Sequence, residues 1–280
     1  MKADRYTECR QEIFGDDLCS EYKPTWLIGW IGGKQRLRET IAQHIPNDIG
    51  SYIEPFGGAG WVLFYKEKWA KAEVYNDING DLVNLFRVVK ASPQKLIEQF
   101  EYNLASRELF NYYKKEFVPA DDIQKAVRFV YLLVYSYSKK MGAYGYRRGR
   151  EGEVRTIDGF IERVKIIHER LKTVNIEHDD YSAILNRYDE SHAFFYLDPP
   201  YYDYCSSLKR EVYKEINHVE LSERLKTIKG KFLLSYNDCP EIREIYKDYN
   251  KIEVERQNSL TTSKPNSKNK RYHELLIMNY

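Results

Sequence analysis

Cysteine is scarce and scattered. The four, Cys9, Cys19, Cys205 and Cys239, form no CxxC pair, which argues against a zinc ligand set of ordinary spacing and against a dithiol redox motif. Reduced thiols in a cytoplasmic protein are the simplest account, and no metal is expected. Long apolar runs are lacking too. The longest, Phe129 to Tyr135, falls far short of the roughly 20 residues that cross a bilayer, and the opening MKADRYTECRQE has no apolar core of a signal peptide. A soluble protein without membrane association is expected. No internal repeat or low-complexity segment occurs, and 280 residues are enough to bury a core without a disulfide framework.

Neither sign of charge predominates, with 44 Lys plus Arg against 42 Asp plus Glu, so a footprint for a polyanion has to be local. Two places provide one. From Lys139 to Arg155 there are six basic and two acidic residues, and from Arg256 to His273 five lysines and arginines and no acid. A basic run is commonly a solvated face. The first run, however, is interleaved with Tyr144, Tyr146 and glycines, which combine stacking faces, close approach and phosphate contacts. Lys139, Lys140, Tyr144, Arg147, Arg148 and Arg150 in the first run, and Lys264, Lys268 and Lys270 in the second, are the candidate nucleic-acid contacts.

Residues 1–24 show no clear period and read as a peripheral arm. A glycine-rich turn (Gly29, Gly32, Gly33) then leads into a helix with Leu37, Ile41 and Ile45 at helical spacing. A strand over 51–56 breaks into Gly57-Gly58-Ala59-Gly60, a helix is expected from near Trp61, and a second strand, 73–75, ends in Asn76-Asp77 before an amphipathic helix reaching about Lys90. Between 91 and 172 the periods are helical. Strand patterns resume at 174–177, 194–197, 232–236, 249–255 and 274–279. The expected organisation is an α/β catalytic domain of residues 25–90 and 173–280, divided by a helical insertion of residues 91–172.

The stretch HAFFYLDPPYYDY (192–204) marks where chemistry could sit. An apolar strand must stop at Asp198 because Pro199 and Pro200 have no backbone donor, and the tandem prolines hold the carboxylate and Tyr201 rigidly at the strand's carboxyl end. In an open α/β sheet, ligands bind at that end. An incidental Asp before a proline-rich turn is the alternative. In YIEPFGGAG (52–60), Leu63 stands where the third glycine of the dinucleotide fingerprint belongs, which disfavours a pyrophosphate cradle. Asp77 can accept hydrogen bonds from ribose hydroxyls. A nucleoside cofactor without pyrophosphate, such as S-adenosylmethionine, suits both, although a glycine turn can be mere packing and an NDxN cluster a helix cap. GWIGGK (29–34) is not a P-loop, since Ile28 and Gln35 replace its first glycine and its hydroxyl residue. It leaves Trp30 able to pack on a cofactor and Lys34 able to pair with a carboxylate.

GWIGGK, YIEPFGGAG, NDINGDL and YLDPPYY, in that order with a long insertion before the last, closely resemble the Dam-type DNA adenine methyltransferases. LLSYND (233–238) and the closing RQNSLTTSKPNSKNKRYHELLIMNY are similar to that family as well. The resemblance covers about residues 26–90 and 174–280. It implies a Rossmann-like S-adenosylmethionine-dependent methyltransferase sheet with a helical target-recognition insertion, double-stranded DNA as partner, and a prokaryotic or phage-encoded setting. Trp30 and Lys34 are implied to hold S-adenosylmethionine, with the turn of Phe56, Gly57, Gly58 and Gly60 beside its methionine part. Asp77 is implied at the ribose, Asp180 and Tyr181 near the adenine, and Asp198 at both the cofactor and the target amino group. No obligate protein partner is evident.

An adenine amino nitrogen is a poor nucleophile because its lone pair is delocalised into the ring. A carboxylate (Asp198) and a carbonyl (Pro199), rigidified by Pro200, would accept its hydrogens and draw the lone pair onto nitrogen. The base must leave the duplex stack, and Tyr201 could stack on it. Arg147 or Arg148 could reach guanine edges. Neutralising about six phosphates would give a log-log salt slope of roughly −5. In the loop where the family reads Asn-Gly-Leu, a residue, then Arg, this chain has Met141-Gly142-Ala143-Tyr144-Gly145. Glycine thus falls where the base-reading arginine would be, which speaks against GATC as the recognised sequence. The alternatives to DNA adenine are an RNA guanine amino group, a protein glutamine amide, or a DNA-binding relative without activity.

Overall fold

The computed structural model describes residues 22–30, 32–100, 104–137, 141–145, 157–201, 216–257 and 271–280. One seven-stranded sheet organises them. It comprises β1 (Ser51–Glu54), β2 (Ala72–Asn76), β3 (Val174–Glu177), β4 (Ala193–Leu197), β5 (Lys231–Asn237), β6 (Asn250–Gln257) and β7 (Arg271–Met278), in the order β3-β2-β1-β4-β5-β7-β6. The first five strands in that order are parallel, whereas β7 runs antiparallel to both β5 and β6. Each strand lies where apolar patterning placed one, within a few residues at its ends.

Both faces of the sheet are covered, which is why its strands read as nearly continuous apolar runs. The two-residue period of a strand still divides them. Phe194, Tyr196, Leu233, Leu276 and Met278 enter one core, while Phe195, Leu197, Phe232, Leu234, Leu275 and Ile277 enter the other.

The first core is closed by α1 (Arg38–His44), α2 (Gly80–Ala91), α3 (Pro93–Glu98), α5 (Asp122–Tyr135) and α6 (Asp158–Leu171). α2 begins where the Asn79 side chain caps the Asp81 and Leu82 amides, and it packs against both α5 and α6. So α5 and α6, within the expected insertion, share a core with the sheet. A smaller cluster of Phe110, Tyr131, Leu132 and Tyr135 joins α4 (Arg107–Lys115) to α5. The second core is closed by α7 (Tyr181–Tyr188), α8 (His218–Lys226) and α9 (Pro240–Ile245). Among the described residues no helix is long and apolar enough to cross a membrane.

One expectation fails. The helix expected from near Trp61 is only a 3-10 turn, Leu63–Tyr65. Backbone carbonyls that an α-helix would use four residues on are taken by distant donors. Val62 O accepts from Trp69 Nε1 at 3.0 Å, Leu63 O from Arg170 at 3.0 Å, Phe64 O from the Tyr22 hydroxyl at 2.8 Å and Lys66 O from Arg170 Nε at 2.9 Å. Tertiary partners override local propensity here. The same Arg170 grips Glu73 with two 2.7 Å bonds, and both side chains are 1% exposed. This pair fastens α6 to the amino-terminal half of β2.

Candidate active site

Strand order reverses between β1 and β4, so the crevice outside their carboxyl ends is the site this topology offers. The parallel registers bring Glu54, Asn76, Glu177 and Leu197 to that edge together. β7 enters from the opposite direction, and its early residue Glu274, opposite Asn237 of β5, lies at the same edge.

Asp198 leaves the end of β4 and meets Lys34, whose ammonium lies 2.5 Å from Oδ1. Lysine here does pair with a carboxylate. Ser235 Oγ, from β5, donates to the same oxygen at 3.1 Å. Among the described residues Oδ2 has no partner. Burial pushes the Asp198 carboxyl up, and the Lys34 charge pulls it back. Pro199 is buried behind it. The Lys34 ammonium also lies 4.6 Å from the centre of the Tyr201 ring, and the Tyr201 hydroxyl donates to Glu274 Oε2 at 2.6 Å. The Asp198, Pro199, Pro200 and Tyr201 segment is thereby joined to Lys34, 164 residues earlier in the chain.

The glycine turn after β1 is built by close approach. A Cβ on Gly57 would sit 2.3 Å from the Tyr75 ring, and one on Gly60 2.5 Å from the Phe64 ring. Gly58 and Gly60 take φ of 51° and 67°, which favour glycine. At Gly58 a Cβ would meet only Trp30, at 3.6 Å, so the turn lies in contact distance of that ring. Trp30 itself leans on Phe129 of α5, with ring centres 5.7 Å apart.

Asp77 braces this turn. Its Oδ2 accepts from Gly58 N at 2.8 Å and its Oδ1 from Asn79 N at 2.7 Å, so each oxygen keeps one lone pair for a ligand. Burial pushes its carboxyl up against those two bonds. Asp180 caps α7, accepting from Ser182 N at 2.9 Å and Ser182 Oγ at 2.7 Å. Tyr181 stands 5.1 Å from Phe56, ring centre to ring centre, across the crevice floor.

Besides Ser235 and Glu54, two site residues escaped the sequence reading. Asn76, fully buried, donates to Pro55 O at 2.9 Å and Asp179 O at 3.0 Å and accepts from Asp179 N at 2.9 Å. It ties the glycine turn to the Asp180 turn. Its place in NDING, at the end of a strand beside the singled-out Asp77, was the available signal. Glu274 is the other, and no spacing in the sequence links it to Tyr201. Glu54, also buried at this edge, accepts from the Tyr52 hydroxyl at 2.5 Å, and burial pushes its carboxyl up to about 8.

Of the candidate nucleic-acid contacts, Lys139, Lys140, Arg147, Arg148, Arg150, Lys264, Lys268 and Lys270 lie outside the described residues. Tyr144 is half-buried, edge-on to Phe110 with the Arg107 guanidinium 4.9 Å from its ring centre. Gly145 is backed against Tyr137, where a Cβ would fall 2.6 Å from the backbone nitrogen. No side chain fits at that position without a shift of the backbone.

A sheet in this order, with a proline-flanked carboxylate at its switch point, is consistent with a Rossmann-like methyltransferase fold. The family described as D12 class N6 adenine-specific DNA methyltransferase matches residues 30–260, and the chain belongs to it. Type II methyltransferase M.CviBI of Paramecium bursaria Chlorella virus NC1A is 30% identical over 242 residues, covering 82% of this chain and 90% of that protein. Type II methyltransferase M.MjaIII of Methanocaldococcus jannaschii is 28% identical, covering 93% and 100%. The DNA adenine methylase of Salmonella typhi is 28% identical, covering 79% and 83%.

Proposed function

We propose that this DNA adenine methyltransferase transfers a methyl group from S-adenosylmethionine to the exocyclic amino group of an adenine turned out of duplex DNA. The observation that carries the reading is Asp198, a carboxylate fixed by two prolines at the switch point, held through Oδ1 by Lys34 and Ser235 while Oδ2 has no described partner.

The residues present fit the cofactor. The turn of Phe56, Gly57, Gly58 and Gly60 can lie beside its methionine part, with Lys34 and Trp30 nearby to hold it. Asp77 keeps a lone pair on each oxygen for ribose hydroxyls, and Asp180 and Tyr181, facing Phe56, suit a purine. When bound, S-adenosylmethionine supplies an electrophilic methyl group on a sulfonium. The chain's own part is positioning. Asp198 Oδ2 and the Pro199 carbonyl accept the amino hydrogens and draw the nitrogen lone pair out of the ring, while Lys34 opposes the burial that pushes the Asp198 carboxyl up. Tyr201 offers a ring face to the base, offsetting part of the few kcal/mol that unstacking costs.

Residues 25–90 and 173–280 form the catalytic part in this reading, and 91–172 choose the target. Lys139, Lys140, Arg147, Arg148 and Arg150, with Lys264, Lys268 and Lys270, supply phosphate and groove contacts. Because no side chain fits at position 145, base reading falls to other residues of that loop, and a target other than GATC is expected. Labelled methyl transfer to duplex DNA followed by nucleoside analysis tests the reading. N6-methyl-2′-deoxyadenosine is the expected product; label found only in RNA or protein would overturn it.

A further inference from the structure

Glu274 is a carboxylate 2% exposed at the start of the last strand, with no part in the transfer described above. Its position follows from strand direction. The strands from β3 to β5 present their carboxyl ends to the crevice, whereas antiparallel β7 presents its amino end, so a residue from the close of the sequence stands beside Asp198 and Ser235. The Tyr201 hydroxyl donates to it at 2.6 Å, a short bond of the charge-assisted kind. Pro199 and Pro200 restrict the backbone before Tyr201, but they leave its two side-chain torsions open. Those torsions are fixed elsewhere, with Lys34 4.6 Å from the ring centre, the Tyr236 ring centre 6.3 Å away and Glu274 at the hydroxyl tip.

We propose that Glu274 is a positioning residue for the target base: it pins the Tyr201 ring by its hydroxyl, so that the ring keeps the orientation in which it stacks on the extruded adenine. This rests on the reading of Tyr201 as the stacking face. Glu274 acts only through Tyr201 and touches neither reacting group. It is also close enough to Asp198 to push that carboxyl up, which Lys34 offsets.

The test uses the full chain and a duplex bearing 2-aminopurine at the target adenine, the site having been read from modified positions in DNA of cells that express the protein. An extruded probe brightens, and a tyrosine ring stacked on it quenches part of that signal. Glu274→Leu and Tyr201→Phe remove the same bond from its two ends. Each is expected to give a brighter probe at equal DNA occupancy and a fall in kcat/KM on the order of tenfold to a hundredfold, the factor that one hydrogen bond to a charged acceptor corresponds to. The double variant should fall no further than either single one. Glu274→Gln keeps an acceptor, so it should restore quenching, and by removing a charge near Asp198 it should move the acid limb of kcat to lower pH. Additive losses, or a probe unchanged in Tyr201→Phe, would overturn the proposal; the latter variant decides even if Glu274→Leu does not fold. Tyr201→Ala separates the two readings. If it brightens the probe while Tyr201→Phe and Glu274→Leu do not, stacking stands and positioning by Glu274 fails, whereas an unchanged probe and turnover in Tyr201→Ala refute stacking itself.

Discussion

Two buried ion pairs occupy opposite ends of the same sheet, and they are built differently. Arg170 holds Glu73 with two bonds, gives two more to the carbonyls of Leu63 and Lys66, and leaves both side chains 1% exposed. Lys34 holds Asp198 through a single oxygen, and the acid is 20% exposed. A planar guanidinium saturates a carboxylate and locks it, whereas an ammonium is a point charge that neutralises one oxygen and leaves the other to a ligand. The first arrangement is scaffolding. The second keeps a charged acceptor ready in a low-dielectric place, which is what transition-state stabilisation needs.

The largest effect is expected where the second pair meets substrate. Asp198→Ala should lower methyl transfer by about a thousandfold while DNA binding, measured by anisotropy, is largely kept; near-normal turnover would end its assigned role. Arg170→Met breaks the scaffold pair and strands Glu73, so urea unfolding should show a loss of about 3–5 kcal/mol, much of it recovered by adding Glu73→Leu. An unchanged midpoint in Arg170→Met would erase the contrast between the pairs. Lys34→Met should lower that midpoint less, because Asp198 is 20% exposed where Glu73 is 1% exposed, yet it removes the charge that offsets Asp198's burial. The carboxyl then ionises only at higher pH, and the acid limb of kcat at saturating cofactor should move to higher pH.

The smallest effect concerns Glu54, a buried carboxyl with a tyrosine hydroxyl in place of a cation. Its pKa is pushed up to about 8, so the folded protein keeps a proton there that the unfolded chain, with an ordinary carboxyl, has given up. Stability from this group is full below about pH 4 and lost as pH rises toward 8. Glu54→Gln should flatten the fall of Tm across that window, and a Tm profile unchanged from the parent would show that Glu54 is ionised throughout.

The strand ends were legible because Pro199, Pro200 and Gly57 punctuate the sequence by removing donors or side chains. The pairing of Lys34 with a carboxylate was legible in kind, as a cation placed on a glycine turn. What was hidden depends on contacts between distant segments. Trp61 to Tyr65 has helical spacing, yet its carbonyls are claimed by Tyr22, Trp69 and Arg170. Ser235 and Glu274 reach the Asp198 segment only because β5 and β7 stand where the sheet order puts them. Tyr144, expected as a stacking face for nucleic acid, is half-buried and its ring also contacts Phe110 and Arg107.

The placement of β7 between β5 and β6 also bears on synthesis. Until residues 271–278 have left the ribosome, β5 has no neighbour on that side, β6 has none with which to pair, and the Tyr201 hydroxyl lacks its Glu274 acceptor. A nascent chain that already carries the whole Asp198 segment is therefore incomplete at the very edge where that segment works, and of the described strands the one translated after the other six is the one that finishes the site.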